Sequence, residues 1–211
     1  MTVAGAVHVV DDDPSTLKSV VRLLRVEGIE SWPWSSPAEF LAGSGSIELP
    51  TCLVLDLKMP GMDGLALQEE LLRRGHDFPI VFLTAHGEVP ASVRALKAGA
   101  LDFLLKPFVP EQLVAVVRQG LARSADSRSA AANLKTLRTR HASLTPRERQ
   151  VFDLVVRGYA NREISGELGA AEKTIKVHRA RVMTKMGAES VAALVQQSIL
   201  LGLLSPSASG Q

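Results

Sequence analysis

Two hydrophobic patterns divide the chain. Over the first 122 residues, short apolar runs alternate with segments in which apolar residues recur at helical spacing, as in a parallel sheet covered by helices on both faces. The runs predict strands near 6–10, 30–34, 51–55, 79–84 and 102–105. The segments between them predict helices near 14–27, 37–43, 64–74 and 89–98, and another from 110 onward. We therefore expect a doubly wound α/β domain with five parallel strands.

The second pattern is helical throughout and begins with a capping box. Thr145-Pro146-Arg147-Glu148 has the form of such a box, and Gly158 ends the helix that it starts. Asn161 can cap a short helix that ends at Gly169, and longer helices follow near 172–186 and 190–201. A short helix, a glycine turn and a longer basic helix predict a helix-turn-helix inside an all-α, four-helix domain.

The stretch that joins the two patterns, residues 123–143, contains no glycine or proline. A helical linker is therefore expected, in which the last helix of the first domain continues. These observations divide the chain into a first domain over 1–122, a linker over 123–143, a second domain over 144–204 and a tail over 205–211.

Charge and composition narrow the class of protein. Residues 1–122 hold 10 Lys and Arg against 15 Asp and Glu, whereas the remainder holds 14 against 7, which predicts a basic, nucleic-acid-binding second domain. A single cysteine, Cys52, argues against a disulfide framework and fits a reducing compartment. Since the sequence contains no apolar stretch of the ~20 residues that span a bilayer, we expect a cytoplasmic protein without a membrane partner.

Polar residues follow the apolar runs of the first domain. They are Asp11, Asp12, Asp56, Thr84 and Lys106. In an open parallel sheet the carboxyl ends of the strands share one edge, so these groups are expected to converge. Clustered carboxylates repel one another unless a hard divalent cation such as Mg2+ gathers their oxygens. The set predicts an attacking Asp56 carboxylate, with Thr84 and Lys106 receiving phosphoryl oxygens.

The set as a whole resembles the receiver domain of two-component response regulators, which has a flavodoxin-like fold. The matching segments are Val10-Asp11-Asp12-Asp13, the run from Leu55 to Gly64, Thr84-Ala85 and Lys106-Pro107-Phe108. The resemblance implies that Asp56 accepts a phosphoryl group from a sensor histidine kinase. It also implies that Asp12 binds Mg2+, or another divalent cation, directly. Asp11 would bind it through water, and Asp56 and the Lys58 carbonyl would complete the set.

The same resemblance implies a switch. Thr84 and Lys106 would turn toward the aspartyl phosphate while the ring of Phe103 moves inward, and the Lys106–Pro107 peptide bond would be cis. Phosphorylation would then favour a homodimer.

The helix near 172–186 carries the candidate DNA contacts. At 100° per residue, Lys173, Lys176, Val177, Ala180 and Thr184 share one face, and Ile175, Val182 and Met186 lie opposite. Together with Leu144-Thr145-Pro146-Arg147-Glu148, Asn161-Arg162-Glu163-Ile164 and Lys173-Thr174-Ile175-Lys176-Val177-His178, this helix resembles the LuxR-type helix-turn-helix, and the whole chain resembles the NarL/FixJ group. The resemblance implies that Lys176, Val177 and Ala180 face base edges and that Lys173, Arg181 and Lys185 meet phosphates.

The function expected is that of a phosphorylation-dependent transcription regulator, not an enzyme, which binds double-stranded promoter DNA and works with RNA polymerase. Two alternative functions fit the sequence less well. A Mg2+-dependent aspartyl phosphatase similar to the haloacid dehalogenases has a second acid two residues after its nucleophile, where this chain has Lys58. A nucleotide-binding Rossmann module requires a glycine fingerprint after the first strand, which this sequence lacks.

Overall fold

A computed structural model describes residues 5–43, 49–85 and 95–204. The chain divides into two compact units, Met1–Arg128 and Ser129–Gln211. Each unit has its own buried core.

The first unit is a doubly wound α/β domain. Its strands are β1 (Ala6–Val10), β2 (Glu30–Trp34), β3 (Thr51–Asp56), β4 (Ile80–Thr84) and β5 (Asp102–Leu105). They form one parallel sheet in the order β2-β1-β3-β4-β5. The helices are α1 (Pro14–Val26), α2 (Pro37–Gly43), α3 (Gly64–Arg73) and the first part of α4 (Pro110–Ala142). The flavodoxin-like fold is thereby confirmed.

Two cores cover the two faces of this sheet. Apolar residues of α1 and α4, such as Leu24 and Leu113, pack with Val54 on one face. Phe40 of α2 and Leu67 of α3 pack with Leu55 on the other. Because both faces of the sheet are covered, β1, β3 and β4 are buried along their whole length, and their sequences are nearly continuous apolar runs instead of alternating ones.

The edge strand β2 differs from the central strands. It contains Pro33 and both tryptophans of the chain, and Trp32 is half exposed. The indole N–H of Trp34 donates to His8 Nδ1 at 2.9 Å, and both rings contact Phe40. Proline is tolerated here because an edge strand has unpaired N–H positions.

The predicted helix near 89–98 lies largely outside the described residues, although residues 95–97 are helical. The predicted continuation of the last helix through the linker is confirmed, since α4 runs without interruption to Ala142.

The second unit contains four further helices, as expected for an all-α domain. These are α5 (Pro146–Val156), α6 (Asn161–Leu168), α7 (Glu172–Met186) and α8 (Val191–Leu200). The capping box predicted for α5 is present, because the Thr145 hydroxyl accepts from the Glu148 N–H and the Glu148 carboxylate accepts from the Thr145 N–H. Phe152, Ile164, Ile175 and Leu194 bring the four helices onto one core.

One predicted cap was wrong. Asn161 is the first residue inside α6, and Ala160 is the N-cap residue. The Ala160 N–H donates to the Glu163 carboxylate at 2.7 Å, so the cap is supplied from within the helix. The side chain of Asn161 instead accepts from Arg179 Nη1 at 3.0 Å and links α6 to α7.

Within the described parts of the chain, no helix is both long enough and apolar enough to span a bilayer.

Candidate functional site

The polar strand ends of the first unit meet at one edge of the sheet. Asp11 follows β1, Asp56 ends β3, Thr84 ends β4 and Lys106 follows β5. The Lys106 ammonium donates to Asp11 Oδ2 at 2.6 Å and to Asp56 Oδ1 at 2.7 Å. Three residues separated by up to 95 positions therefore form one cluster.

Backbone groups hold the two carboxylates. Asp56 Oδ2 accepts from the Lys58 N–H at 2.8 Å, and Asp11 Oδ1 accepts from the Asp13 N–H at 2.9 Å. The Lys106 N–H donates to the Thr84 carbonyl, which ties the ends of β4 and β5 together. The Lys106–Pro107 peptide bond is cis, as expected.

Burial and charge act in opposite directions on this cluster. Burial raises the pKa of the Asp11 carboxyl, and the hydrogen bond from Lys106 opposes this rise without cancelling it. Burial also acts to lower the pKa of Lys106, but hydrogen bonds to Asp11 and Asp56 outweigh it, so the net shift is upward. The outcomes differ because Lys106 lies between two carboxylates, whereas Asp11 has one cation partner and is repelled by the charge of Asp56. The ammonium is therefore charged at neutral pH.

Gly64 lets the backbone pass close to the pocket. A Cβ at this position would collide with the carbonyl of Asp56 and come within 2.9 Å of the Phe82 ring. The Gly64 N–H also donates to the Leu57 carbonyl at 2.9 Å. The turn after β3 can close in this way only with glycine at its end.

The remaining predicted residues of the first unit differ in burial. Thr84 is buried, and Phe103 is partly buried with its ring 6.3 Å from that of Phe82. Asp12 is exposed.

The donor set fits a hard divalent cation. The side chains of Asp11, Asp12 and Asp56 offer only carboxylate oxygens, the ligands that Mg2+ prefers, and with Lys106 they leave a formal charge of about −2. In the described part of the chain, no three acidic, histidine or cysteine side chains already converge as a ligand cluster. Lys106 lies between two of the carboxylates instead.

In the second unit, α7 presents the face that the sequence predicted. Ile175, Val182 and Met186 are buried. Lys173, Lys176, Ala180 and Arg181 are exposed, and Val177 is 46% exposed. A helix with a buried apolar back and an exposed basic front of small residues can enter a major groove.

Lys185 is placed differently from the other predicted DNA contacts. Its ammonium donates to Glu148 Oε2 at 2.6 Å and to the Ser143 carbonyl at 3.2 Å. Glu148 is buried, and the hydrogen bonds from Lys185 and Thr145 lower its pKa to about 2. The charge of Lys185 is therefore partly compensated within the unit.

Sequence reasoning missed this pair, because 37 positions separate Lys185 from Glu148 and no local pattern connects them. Sequence reasoning also missed the hydrogen bond from the Lys58 N–H to Asp56, because it assigned a role only to the Lys58 carbonyl. The D-x-K spacing, which places that amide two residues after the carboxylate, could have indicated it.

Comparison with known proteins finds a matching family for each of the two parts of the chain. The family described as response regulator receiver domain matches residues 7–118, and bacterial regulatory proteins of the luxR family match residues 142–198. Nodulation protein W of Bradyrhizobium diazoefficiens is 41% identical over 197 residues, which cover 93% of this chain and 86% of that protein. FixJ of Azorhizobium caulinodans is also 41% identical over 197 residues, 93% of each chain. The solved structure of the response regulator StyR is 45% identical, with a TM-score of 0.83 over 92% of this chain and 98% of StyR.

The chain is a response regulator of the NarL/FixJ group.

The regulator combines a receiver with a LuxR-type DNA-binding domain, and phosphorylation-dependent control of transcription is its function. Its family consists of DNA-binding transcription regulators and not of classical enzymes. Receiver domains generally bind Mg2+ at their acidic pocket, and the carboxylates described above are suited to that ion.

Proposed function

We propose that Asp56 is the phosphoryl acceptor of this regulator and that a sensor histidine kinase is the donor. The observation that carries the proposal is the Lys106 ammonium, which contacts Asp56 at 2.7 Å and Asp11 at 2.6 Å. A fixed cation at this point offsets the negative charge that an incoming phosphoryl group brings.

The transfer exchanges one bond to phosphorus for another. A carboxylate oxygen of Asp56 attacks the phosphorus of a phosphohistidine, the P–N bond breaks, and the leaving imidazole takes up a proton. Lys106 and Thr84 then hold the phosphoryl oxygens of the acyl phosphate. Asp11, Asp12, Asp56 and the Lys58 carbonyl would hold Mg2+, which supplies further neutralisation of negative charge.

Thr84 and Phe103 form the proposed switch. When Thr84 engages the phosphoryl group, the ring of Phe103 moves toward the space behind it and reshapes the surface near β5. That surface then favours a receiver homodimer, which brings two DNA-binding domains to two half-sites and raises their effective concentration.

On DNA, α7 is the proposed reading element. Lys176, Val177 and Ala180 face base edges in the major groove, and Lys173 and Arg181 meet phosphates. Lys185 contributes less than those two, because its ammonium already serves Glu148.

The wider assignment follows from these roles. The regulator works in the cytoplasm, is phosphorylated by its kinase, binds promoter DNA as a homodimer and contacts RNA polymerase. Residues 1–122 act as receiver, 123–143 as linker and 144–204 as DNA-binding domain, followed by a tail over 205–211.

The test compares Asp56→Asn with Asp77→Asn, a matched change at an exposed acid. Each full-length protein is incubated with acetyl phosphate and Mg2+. Intact mass and peptide mapping locate the adduct, and light scattering measures the dimer fraction. We expect one phosphoryl adduct at Asp56 in the unaltered protein and in Asp77→Asn, with a larger dimer fraction, and neither effect in Asp56→Asn.

Two results would overturn the proposal. One is an adduct at another residue with Asp56 unmodified. The other is an equal gain in dimer and DNA affinity for Asp56→Asn and the unaltered protein when the donor is added.

A further inference from the structure

The C-terminal end of α7 is held by a side chain from another helix. Met186, the last residue of α7, is buried, and its carbonyl accepts a hydrogen bond from Arg140 Nη1 at 3.1 Å. The last carbonyls of a helix have no donor within it, and a cation beside them interacts favourably with the helix dipole. Gln197 Nε2 also donates to this carbonyl, at 3.5 Å, so Arg140 supplies the shorter of the two hydrogen bonds and the positive charge.

Gly187 shows how closely the guanidinium group approaches this end. Gly187 follows Met186 with a φ of 65°, which favours glycine. A Cβ at Gly187 would lie 2.6 Å from Arg140 Nη1 and 3.1 Å from its Cζ. The backbone conformation favours glycine here, and any larger residue would also have to displace the Arg140 guanidinium.

The helix that carries Arg140 is anchored to the same unit. Leu137, one turn earlier, is buried, and the ring of His141 lies edge-on to Phe152 at 5.2 Å. Leu144, just beyond the helix, belongs to the core that contains Met186. Because these contacts hold the end of α4 against the core, Arg140 reaches α7 from a helix whose position is fixed.

We propose that Arg140 is a positioning residue for DNA reading, which acts by fixing the C-terminal end of α7 and does not touch DNA. The 15 residues of α7 span about 22 Å, and Lys176 and Val177 lie toward its other end. Without Arg140, the Met186 carbonyl keeps only the longer hydrogen bond from Gln197. A small tilt of α7 about the core then displaces Lys176 and Val177 from base edges. The inference rests on the proposed role of α7 in reading bases.

The variants are Arg140→Met and Arg140→Lys in the full-length protein. Met removes the hydrogen bond and the charge but keeps an unbranched side chain, and Lys restores the charge without the fork. Arg138→Met is the matched control, because Arg138 is exposed on the same helix two residues earlier. The probe is a duplex that the unaltered protein selects from a random pool, with a shuffled duplex of equal composition as reference. Both are titrated at several salt concentrations.

For Arg140→Met we expect the affinity ratio of selected to shuffled duplex to fall about tenfold, the scale of one mismatched base pair. The slope of log affinity against log salt stays unchanged, and affinity for the shuffled duplex is preserved. Arg140→Lys recovers part of the ratio, and Arg138→Met retains it.

A different pattern would mean that Arg140 binds DNA itself. In that case both affinities fall and the salt slope loses about one unit, as for any residue that neutralises one phosphate. That result, or an unchanged ratio in Arg140→Met, overturns the inference.

A second measurement needs no DNA. Amide hydrogen exchange in Arg140→Met should accelerate at residues 183–188 and remain as in the unaltered protein across α5. Unchanged exchange at 183–188 overturns the inference, even if the unaltered protein selects no duplex. Failure of that selection would instead count against base reading by α7.

Discussion

At the scale of single residues, the same pairing of a buried carboxylate with a lysine occurs twice and has opposite effects. Asp11 shares the Lys106 ammonium with Asp56, and burial leaves the Asp11 pKa raised. The Glu148 carboxylate accepts from the Lys185 ammonium and from the Thr145 N–H, and its pKa falls to about 2. Burial of the Asp11 carboxylate therefore costs stability at the site proposed for phosphoryl transfer. The ion pair between Glu148 and Lys185 instead stabilises the fold.

Glu148→Gln should therefore destabilise the second unit in a pH-dependent way. Folding depresses the pKa of Glu148 from 4.5 to about 2. The stability that the ionised carboxylate contributes is therefore fully present above pH 4.5 and is lost as the pH falls from 4.5 toward 2. At pH 7 we expect the free energy of unfolding to fall by about 1.5–3 kcal/mol, typical of a hydrogen bond to a charged group.

Thermal unfolding of both proteins from pH 7 to pH 3, followed by circular dichroism, checks this prediction. The difference in unfolding temperature between the unaltered protein and Glu148→Gln should become smaller as the pH falls. Glu167→Gln, at an exposed position of α6, serves as the control and should show no such gap. A difference independent of pH would show that the lost interaction is not ionic.

At the scale of elements, three helices of the second unit end against a cation from another helix. Arg149 donates to Ala142 at the end of α4, Arg147 to Leu168 at the end of α6, and Arg140 to Met186 at the end of α7. With Lys185 and Arg179, these residues use their donors inside the protein. A count of basic residues therefore overstates the number of cations whose donors are all available to DNA.

Within α7, two lysines should behave differently. Lys173→Ala removes a proposed phosphate contact, so it should weaken binding to all duplexes alike and reduce the salt slope by about one. Lys176→Ala removes a proposed base contact and should lower discrimination between duplexes by about 1–3 kcal/mol.

Titration of a selected and a shuffled duplex over a range of salt concentrations distinguishes the two lysines. Lys135→Ala, on the exposed side of α4, provides a control at a residue without a proposed DNA role. Loss of discrimination in Lys173→Ala, with Lys176→Ala unaffected, would reverse the assignment of the two faces.

The sequence predicted the elements and the acid pocket because both follow from local rules. Apolar runs and caps such as Thr145 locate strands and helices, and the carboxyl ends of parallel strands necessarily share an edge, which brings Asp11, Asp56 and Lys106 together. The partners of long side chains could not be predicted in this way. Asn161 pairs with Arg179 and Lys185 with Glu148 only because of how helices pack in three dimensions.

At the scale of the whole molecule, the two units carry net charges of opposite sign. Residues 129–211 hold 12 Lys and Arg against 6 Asp and Glu, whereas the remainder of the chain holds 12 against 16. The acidic unit repels duplex phosphates while the basic unit attracts them. The receiver is therefore expected to lower non-specific binding through long-range charge alone.

The fragment 129–211 should accordingly bind a shuffled duplex more tightly than the full-length protein does. We expect a difference of roughly three- to tenfold at 50 mM salt, where the Debye length exceeds 10 Å, and its disappearance near 0.5 M. Fluorescence anisotropy at both salt concentrations measures it. A difference that persists at high salt would indicate direct occlusion of the DNA-binding surface instead of repulsion.

The placement of Trp32 and Trp34 on β2 has an experimental consequence. Since these are the only indoles in the chain, emission excited where tryptophan absorbs and Tyr159 does not reports on the first unit alone. Trp34 lies beside the imidazole of His8. Far-ultraviolet circular dichroism instead reports on the helices of both units. Denaturation curves recorded by the two optical signals will coincide only if the two halves of the molecule lose their structure cooperatively.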